Sequence, residues 1–128
     1  MHPHPRILAV DDESLIRMSL RIALGREGYD VDTASNGAEA MDLLERNRYD
    51  LILLDLRLPD VSGLEVMRFA RRVDPLVKIL LVTASTNAPG IGEAEQEGVL
   101  GVVAKPFTLE RIASESRRVI GETRIPHR

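Results

Sequence analysis

Leu51-Ile52-Leu53-Leu54 is a run of four bulky apolar residues closed by a carboxylate, Asp55. No polar residue alternates with them, so a strand built from this run has no face to give to water and must lie between two covering layers. That condition points to the middle of a parallel sheet with helices on both sides. Asp55 is then where the strand leaves the core. In open sheets of this kind ligands bind beyond the carboxyl ends of the strands, which gives an acid at that place a chemical reading. It also has a structural one, because Asp favours turns and the turn-rich stretch Leu58-Pro59-Asp60-Val61-Ser62-Gly63 follows it. Taken alone, Asp55 reads as a turn residue.

The rest of the chain repeats the same plan. Ile7-Leu8-Ala9-Val10 is an apolar run ended by Asp11-Asp12-Glu13, and Ile16, Leu20, Ala23 and Leu24 then recur at helical spacing up to Gly25 and Gly28. Leu15, Met18 and Ile22 make a second apolar stripe on that helix, for which burial is the simpler expectation. Residues 31–34 form a strand interrupted by Asp32 and Thr33, polar enough for a sheet edge, and Ala40, Leu43 and Leu44 mark a second helix ending near Arg46. Leu64, Met67, Phe69 and Ala70 mark a third, over 64–72. Lys78-Ile79-Leu80-Leu81-Val82 is a further unbroken strand that ends in Thr83. Pro89, Gly90 and Gly92 then oppose regular structure, which limits a fourth helix to about 92–97. Residues 99–104 read as the fifth strand and end in Lys105-Pro106. Thr108 caps a last helix with Leu109, Ile112, Ala113, Ser116 and Ile120 on its buried side. Five alternations with short connections imply one α/β domain over 6–121, with a flexible leader at 1–5 and a tail at 122–128.

Composition narrows the chemistry. The 128 residues contain no cysteine, and the three histidines, His2, His4 and His127, sit at the chain ends, so neither thiol nor interior imidazole catalysis is on offer. Seventeen basic residues against twenty acidic ones, with no Trp and four other aromatics, speak against nucleic-acid binding. No segment approaches the ~20 apolar residues of a membrane span, so a soluble, cytoplasmic protein is expected.

Four of the five strand exits carry Asp11 and Asp12, Asp55, Thr83 and Lys105. In a parallel sheet those exits share one edge, so the groups converge. Like charges a few ångströms apart repel by roughly 1 kcal/mol in water and about 4 kcal/mol near a protein surface, so the carboxylates call for a cation. Oxygen ligands alone suit a hard ion, and few of them suit Mg2+ better than Ca2+. A carboxylate can attack phosphorus; Lys105 and Thr83 could then hold the phosphoryl oxygens, and no base for fast hydrolysis stands by.

In these residues the chain resembles the receiver domains of two-component response regulators, the chemotaxis regulators among them. The resemblance spans essentially the whole chain and rests on Val10-Asp11-Asp12, Leu54-Asp55 with Pro59 and Gly63, Val82-Thr83-Ala84 and Lys105-Pro106-Phe107. It implies a flavodoxin-like (βα)5 fold, a five-stranded parallel sheet of order 2-1-3-4-5 with helices on both faces. It further implies Asp55 as phosphoacceptor, and Mg2+ held by Asp11, Asp12, Asp55 and the backbone carbonyl of Arg57. Thr83 and Lys105 would hold the phosphoryl group, and the Lys105-Pro106 bond would be cis. The partner implied is a histidine kinase or histidine phosphotransfer protein, docking on Leu15, Met18 and Ile22, and the role is a switch rather than a turnover enzyme. Val102 stands where many family members carry a switching aromatic residue, which shifts attention to the 88–92 loop and the fourth helix. Acids on the fourth helix and Arg111, Arg117 and Arg118 on the fifth permit a homodimer. Two rival readings share the fold: a Mg2+-dependent phosphohydrolase passing through an aspartyl-phosphate, for which the Asp55-Leu56-Arg57-Leu58 stretch lacks a second acid, and a non-phosphorylated interaction module.

Overall fold

The computed structural model describes residues 4–85 and 87–121, so the first three residues of the expected leader and the expected tail lie outside the described residues. Strand and helix alternate in the order β1 (Arg6–Val10), α1 (Ser14–Gly25), β2 (Asp30–Ala34), α2 (Gly37–Arg46), β3 (Leu51–Leu54), α3 (Gly63–Val73), β4 (Lys78–Thr83), α4 (Ile91–Gln96), β5 (Val102–Ala104) and α5 (Leu109–Gly121). The sheet is parallel, in the order β2-β1-β3-β4-β5, as expected. The Lys105-Pro106 peptide is cis. Among the described residues no helix is long and apolar enough to cross a membrane.

The unbroken run of β3 is divided by the pleat, because successive side chains leave a strand on opposite faces. Ile52 and Leu54 join Leu8, Val10, Ile79 and Leu81 beneath α2, α3 and α4, whose Ala40, Leu44, Val66, Met67, Ala70, Ile91 and Ala94 complete that core. Leu51 and Leu53 face the other way, joining Ile7, Ala9, Leu80, Val82 and Val103 against Leu20, Ala23 and Leu24 of α1 and Ile112 and Val119 of α5. Every residue of β3 is buried, and its register with β1 pairs Val10 with Leu54. Asp11 and Asp55 therefore leave the sheet side by side.

Four expectations are corrected. The second stripe of α1 is not buried: Leu15, Met18 and Ile22 are 72%, 56% and 43% exposed, because Leu20, Ala23 and Leu24 already fill the single face that α1 turns to the sheet. β5 has three residues instead of six. Gly98 turns with a left-handed φ of 94° and the Val99 N–H is donated back to Ala94 in α4, which takes residue 99 out of the strand. Leu100 and Gly101 already bond Ile79 and Leu81 of β4, but the regular strand runs only from Val102. α4 begins at Ile91, directly after Gly90, whose φ of 95° breaks the preceding chain. On α3 and α5, Val66 and Val119, which lie outside the expected apolar sets, are fully buried, while Phe69 and Ile120 are only partly buried.

Local bonds position the loops around the strand exits. The Asn36 side chain caps α2 by accepting from the Glu39 N–H, and the Glu39 carboxylate reaches back to the Ser35 N–H and hydroxyl. Asp60, in the loop that follows β3, accepts from the Gly37 and Ala38 amides and so ties that loop to the start of α2. Its carboxyl is held below the usual range by those amides. Ser62 accepts from the Leu64 N–H at the head of α3, and Thr108 accepts from the Arg111 N–H at the head of α5. Most of the charges that would serve a homodimer, Glu95 of α4 apart, are engaged within the chain: Arg68 of α3 holds Glu93 and Glu97, Arg117 holds Glu27 and Glu110, and Arg111 and Arg118 both reach Glu115.

Candidate functional site

Asp11 follows β1, and its N–H donates to Ala34 O of β2; Asp55 follows β3, and its N–H donates to Val10 O. The ladder thus continues through both acids and fixes their backbones one strand apart. Both are buried, at 1% and 5% exposure, while Asp12 is exposed. One carboxylate oxygen from each of Asp11, Asp12 and Asp55 lies within 4.8 Å of the others. Lys105, just past β5, is positioned by donating its N–H to Thr83 O. Its ammonium lies 2.6 Å from Asp11 Oδ2 and 2.9 Å from Asp55 Oδ2.

The other carboxylate oxygens are directed by backbone amides. Asp11 Oδ1 accepts from the Glu13 N–H at 2.9 Å, and Asp55 Oδ1 accepts from the Arg57 N–H at 3.0 Å. Burial pushes the Asp11 carboxyl above the usual aspartate value, against the lowering pull of the Lys105 ammonium and the Glu13 amide. Burial works against the Lys105 charge too, but the bonds and charges of Asp11 and Asp55 outweigh it and lift this lysine above its ordinary value. The ammonium is thereby locked on at neutral pH.

A hard cation fits these residues. Three carboxylates with only one ammonium between them leave excess negative charge, and buried Asp11 Oδ2 accepts no well-directed hydrogen bond, its contact with Lys105 being an ion pair. All the donors are oxygen, which is the set that Mg2+ takes while keeping part of its water. Arg57 is exposed, and a short antiparallel bridge to Ser62 holds its backbone beside Asp55.

The strand exits bring Asp11, Asp12, Asp55 and Lys105 together as the sequence suggests. Thr83 arrives at the same edge, fully buried, but its hydroxyl lies against Ser85, 3.4 Å from that residue's carbonyl oxygen. Val102 is partly buried, packed against the core under α4 together with Ala88 and Val99. Pro106 is exposed after its cis bond.

Gly63, quoted with Asp55 in the sequence, lets α3 start directly against the backbone of Asp55. Two contributors escaped the sequence reading: Glu13 places Oε1 3.2 Å from the Lys105 ammonium, and Arg17 donates to the Asp11 carbonyl oxygen at 2.8 Å. The Asp11-Asp12-Glu13 run showed a third acid, but a contact 92 residues along the chain leaves no local pattern.

The family model for the response regulator receiver domain matches residues 7–117. Sporulation initiation phosphotransferase F of Bacillus subtilis (strain 168) is 32% identical over 115 residues, which is 90% of this chain and 93% of that protein. Response regulator MprA of Mycobacterium sp. (strain KMS) is 37% identical over 118 residues, 92% of this chain; the chain spans about half, 51%, of that relative's length. Among solved structures, response regulator TrrA from Thermotoga maritima, in complex with Mg2+ and beryllofluoride, is 36% identical and superposes with a TM-score of 0.80 over 90% of this chain and 98% of its own.

Proposed function

The chain belongs to the response regulator receiver domain family, and from that premise we propose that it takes a phosphoryl group from a phosphohistidine donor onto Asp55 and changes conformation in response. The observation that carries this reading is the Lys105 ammonium set between Asp11 and Asp55, at 2.6 and 2.9 Å, on the carboxyl edge of the sheet. An Asp55 carboxylate oxygen attacks phosphorus, the P–N bond breaks, and the imidazole leaves with the bonding pair and regains its proton from solvent. Lys105 is close enough to follow the charge from the carboxylate to the phosphoryl oxygens, and the Thr83 hydroxyl, now on a long contact with Ser85, would turn from it to donate there as well. Nothing in the set is placed to drive repeated turnover of a phosphomonoester, which favours the switch over the phosphohydrolase.

Asp11, Asp12 and Asp55, with the Arg57 carbonyl, would hold Mg2+, and the ion would offset charge on the transferred phosphoryl group. The raised Asp11 carboxyl gives this a measurable cost. A folded-state value above the unfolded one contributes stability only below the ordinary aspartate range and loses it as pH rises through the shifted value, so at pH 7 ionised Asp11 opposes folding. Asp11→Asn is therefore expected to raise the thermal midpoint at pH 7 by a few degrees and to weaken Mg2+ binding by about tenfold or more. A lowered midpoint in thermal unfolding would show that the Lys105 attraction outweighs the burial.

The exposed Leu15, Met18 and Ile22 stripe on α1, beside Asp11, suits docking of a histidine kinase or phosphotransfer protein. For the response, α4 is the favoured element. It has six residues, buries only Ile91 and Ala94, and starts at left-handed Gly90, while Val102 offers no aromatic ring to rotate. One phosphotransfer experiment with a phosphohistidine donor tests both ideas. Ile22→Asp should slow transfer about tenfold or more by putting a charge in an apolar contact, and phosphorylated wild type should change amide exchange across residues 88–97. Equal transfer to the variant removes the docking role, and unchanged exchange removes α4 as the responding element.

A further inference from the structure

Glu13 occupies the N-cap position of α1, where a side chain ordinarily accepts from the first helical amides, yet it makes no such bond. Its own N–H is donated to Asp11 Oδ1, and its carboxylate turns across the site to Lys105. Of the three acids on that ammonium, Asp11 and Asp55 have side chains 1% and 7% exposed and belong to the three-carboxylate cluster; that of Glu13 is 62% exposed and lies outside it. A cation seated on the cluster would draw Asp11 and Asp55 away from Lys105. Glu13 would remain as the acid still facing the ammonium.

We propose that Glu13 competes with the phosphoryl group on Asp55 for the Lys105 ammonium, and thereby sets the balance between cation and anion affinity in the site. The proposal rests on Asp55 being the phosphoacceptor. A fixed negative charge at the mouth attracts a divalent cation, repels an incoming anion, and occupies the ammonium that the anion needs. Neutralising it must move the two affinities in opposite directions. A carboxylate that merely propped Lys105 in place would act otherwise, since its loss would weaken anion binding.

The test uses the full chain, with amide shifts followed through a titration of Mg2+ alone and then of beryllofluoride at saturating Mg2+. Glu13→Gln should raise the Mg2+ Kd and lower the beryllofluoride Kd, each by about three- to fivefold at low salt. Both shifts should shrink at high salt, where the screening length falls. Asp30→Asn removes an exposed acid from the start of β2, at the opposite end of the strands from the site, and should change neither. Unchanged or weaker beryllofluoride binding in Glu13→Gln overturns the proposal while leaving Asp55 as phosphoacceptor intact. A wild type that does not respond to beryllofluoride is a different failure, because it overturns the reading of Asp55 itself.

Discussion

Lys105→Met is expected to destabilise the cation-free protein by about 3 kcal/mol and to recover much of that loss when Mg2+ is added. The lysine is the ammonium between two buried acids, and removing one partner of a buried pair costs roughly 3–5 kcal/mol because the other charge stays behind. The low end applies here, since Asp12 and Glu13 open the site to water. The sign follows from the raised lysine: its contribution is complete below the ordinary lysine value and is lost only as pH climbs through the shifted one, so it acts in full at pH 7. In the variant, Mg2+ no longer contends with an ammonium for Asp11 and Asp55 and should bind more tightly than in wild type. Urea unfolding with and without Mg2+ reads both effects. Equal stability of variant and wild type without Mg2+, or no recovery with it, would show that the pair carries little of the fold.

Gly63→Ala is the second large effect. A Cβ at this position would lie 2.5 Å from the Asp55 carbonyl oxygen and 2.6 Å from Leu56 Cα, and neither is a side chain that can rotate away. Overpacking against fixed backbone costs about 1–3 kcal/mol, and the upper part of that range is expected here. The displacement is also directed, because what must move is the turn that carries Asp55 and accepts the Gly63 N–H at Leu56 O. Stability and beryllofluoride affinity should therefore fall together. Gly92→Ala is the control, since nothing lies within 4 Å of the added methyl group. If Gly63→Ala unfolds at the wild-type urea concentration, α3 is free to shift outward and the close approach is not a constraint.

Much of this fold can be read from the unbroken apolar strands. A run such as Leu51-Ile52-Leu53-Leu54 allows only a sheet covered on both sides, and once the strands are parallel their exits must share an edge. The convergence of Asp11, Asp12, Asp55 and Lys105 was legible for that reason alone. What escaped depends on choices that periodicity does not encode. The Leu15, Met18 and Ile22 stripe has helical spacing whether it is covered or exposed, and only the geometry of α1 on the sheet shows it uncovered. Residues 99–101 carry a strand's composition, yet the Val99 amide is claimed by α4. Glu13 acts through a contact across the fold, and the present orientation of the Thr83 hydroxyl is a rotamer choice that a sequence cannot hold.

The central claim is that Asp55 accepts a phosphoryl group, and one measurement reaches it directly. The full chain is incubated with Mg2+ and a phosphohistidine donor, and the intact mass and the modified residue are determined for wild type and Asp55→Asn. The account predicts a gain of one phosphoryl group per chain, located on Asp55, and no gain in the variant. A wild type that gains none, or a phosphoryl group found on another residue and retained in Asp55→Asn, would contradict it.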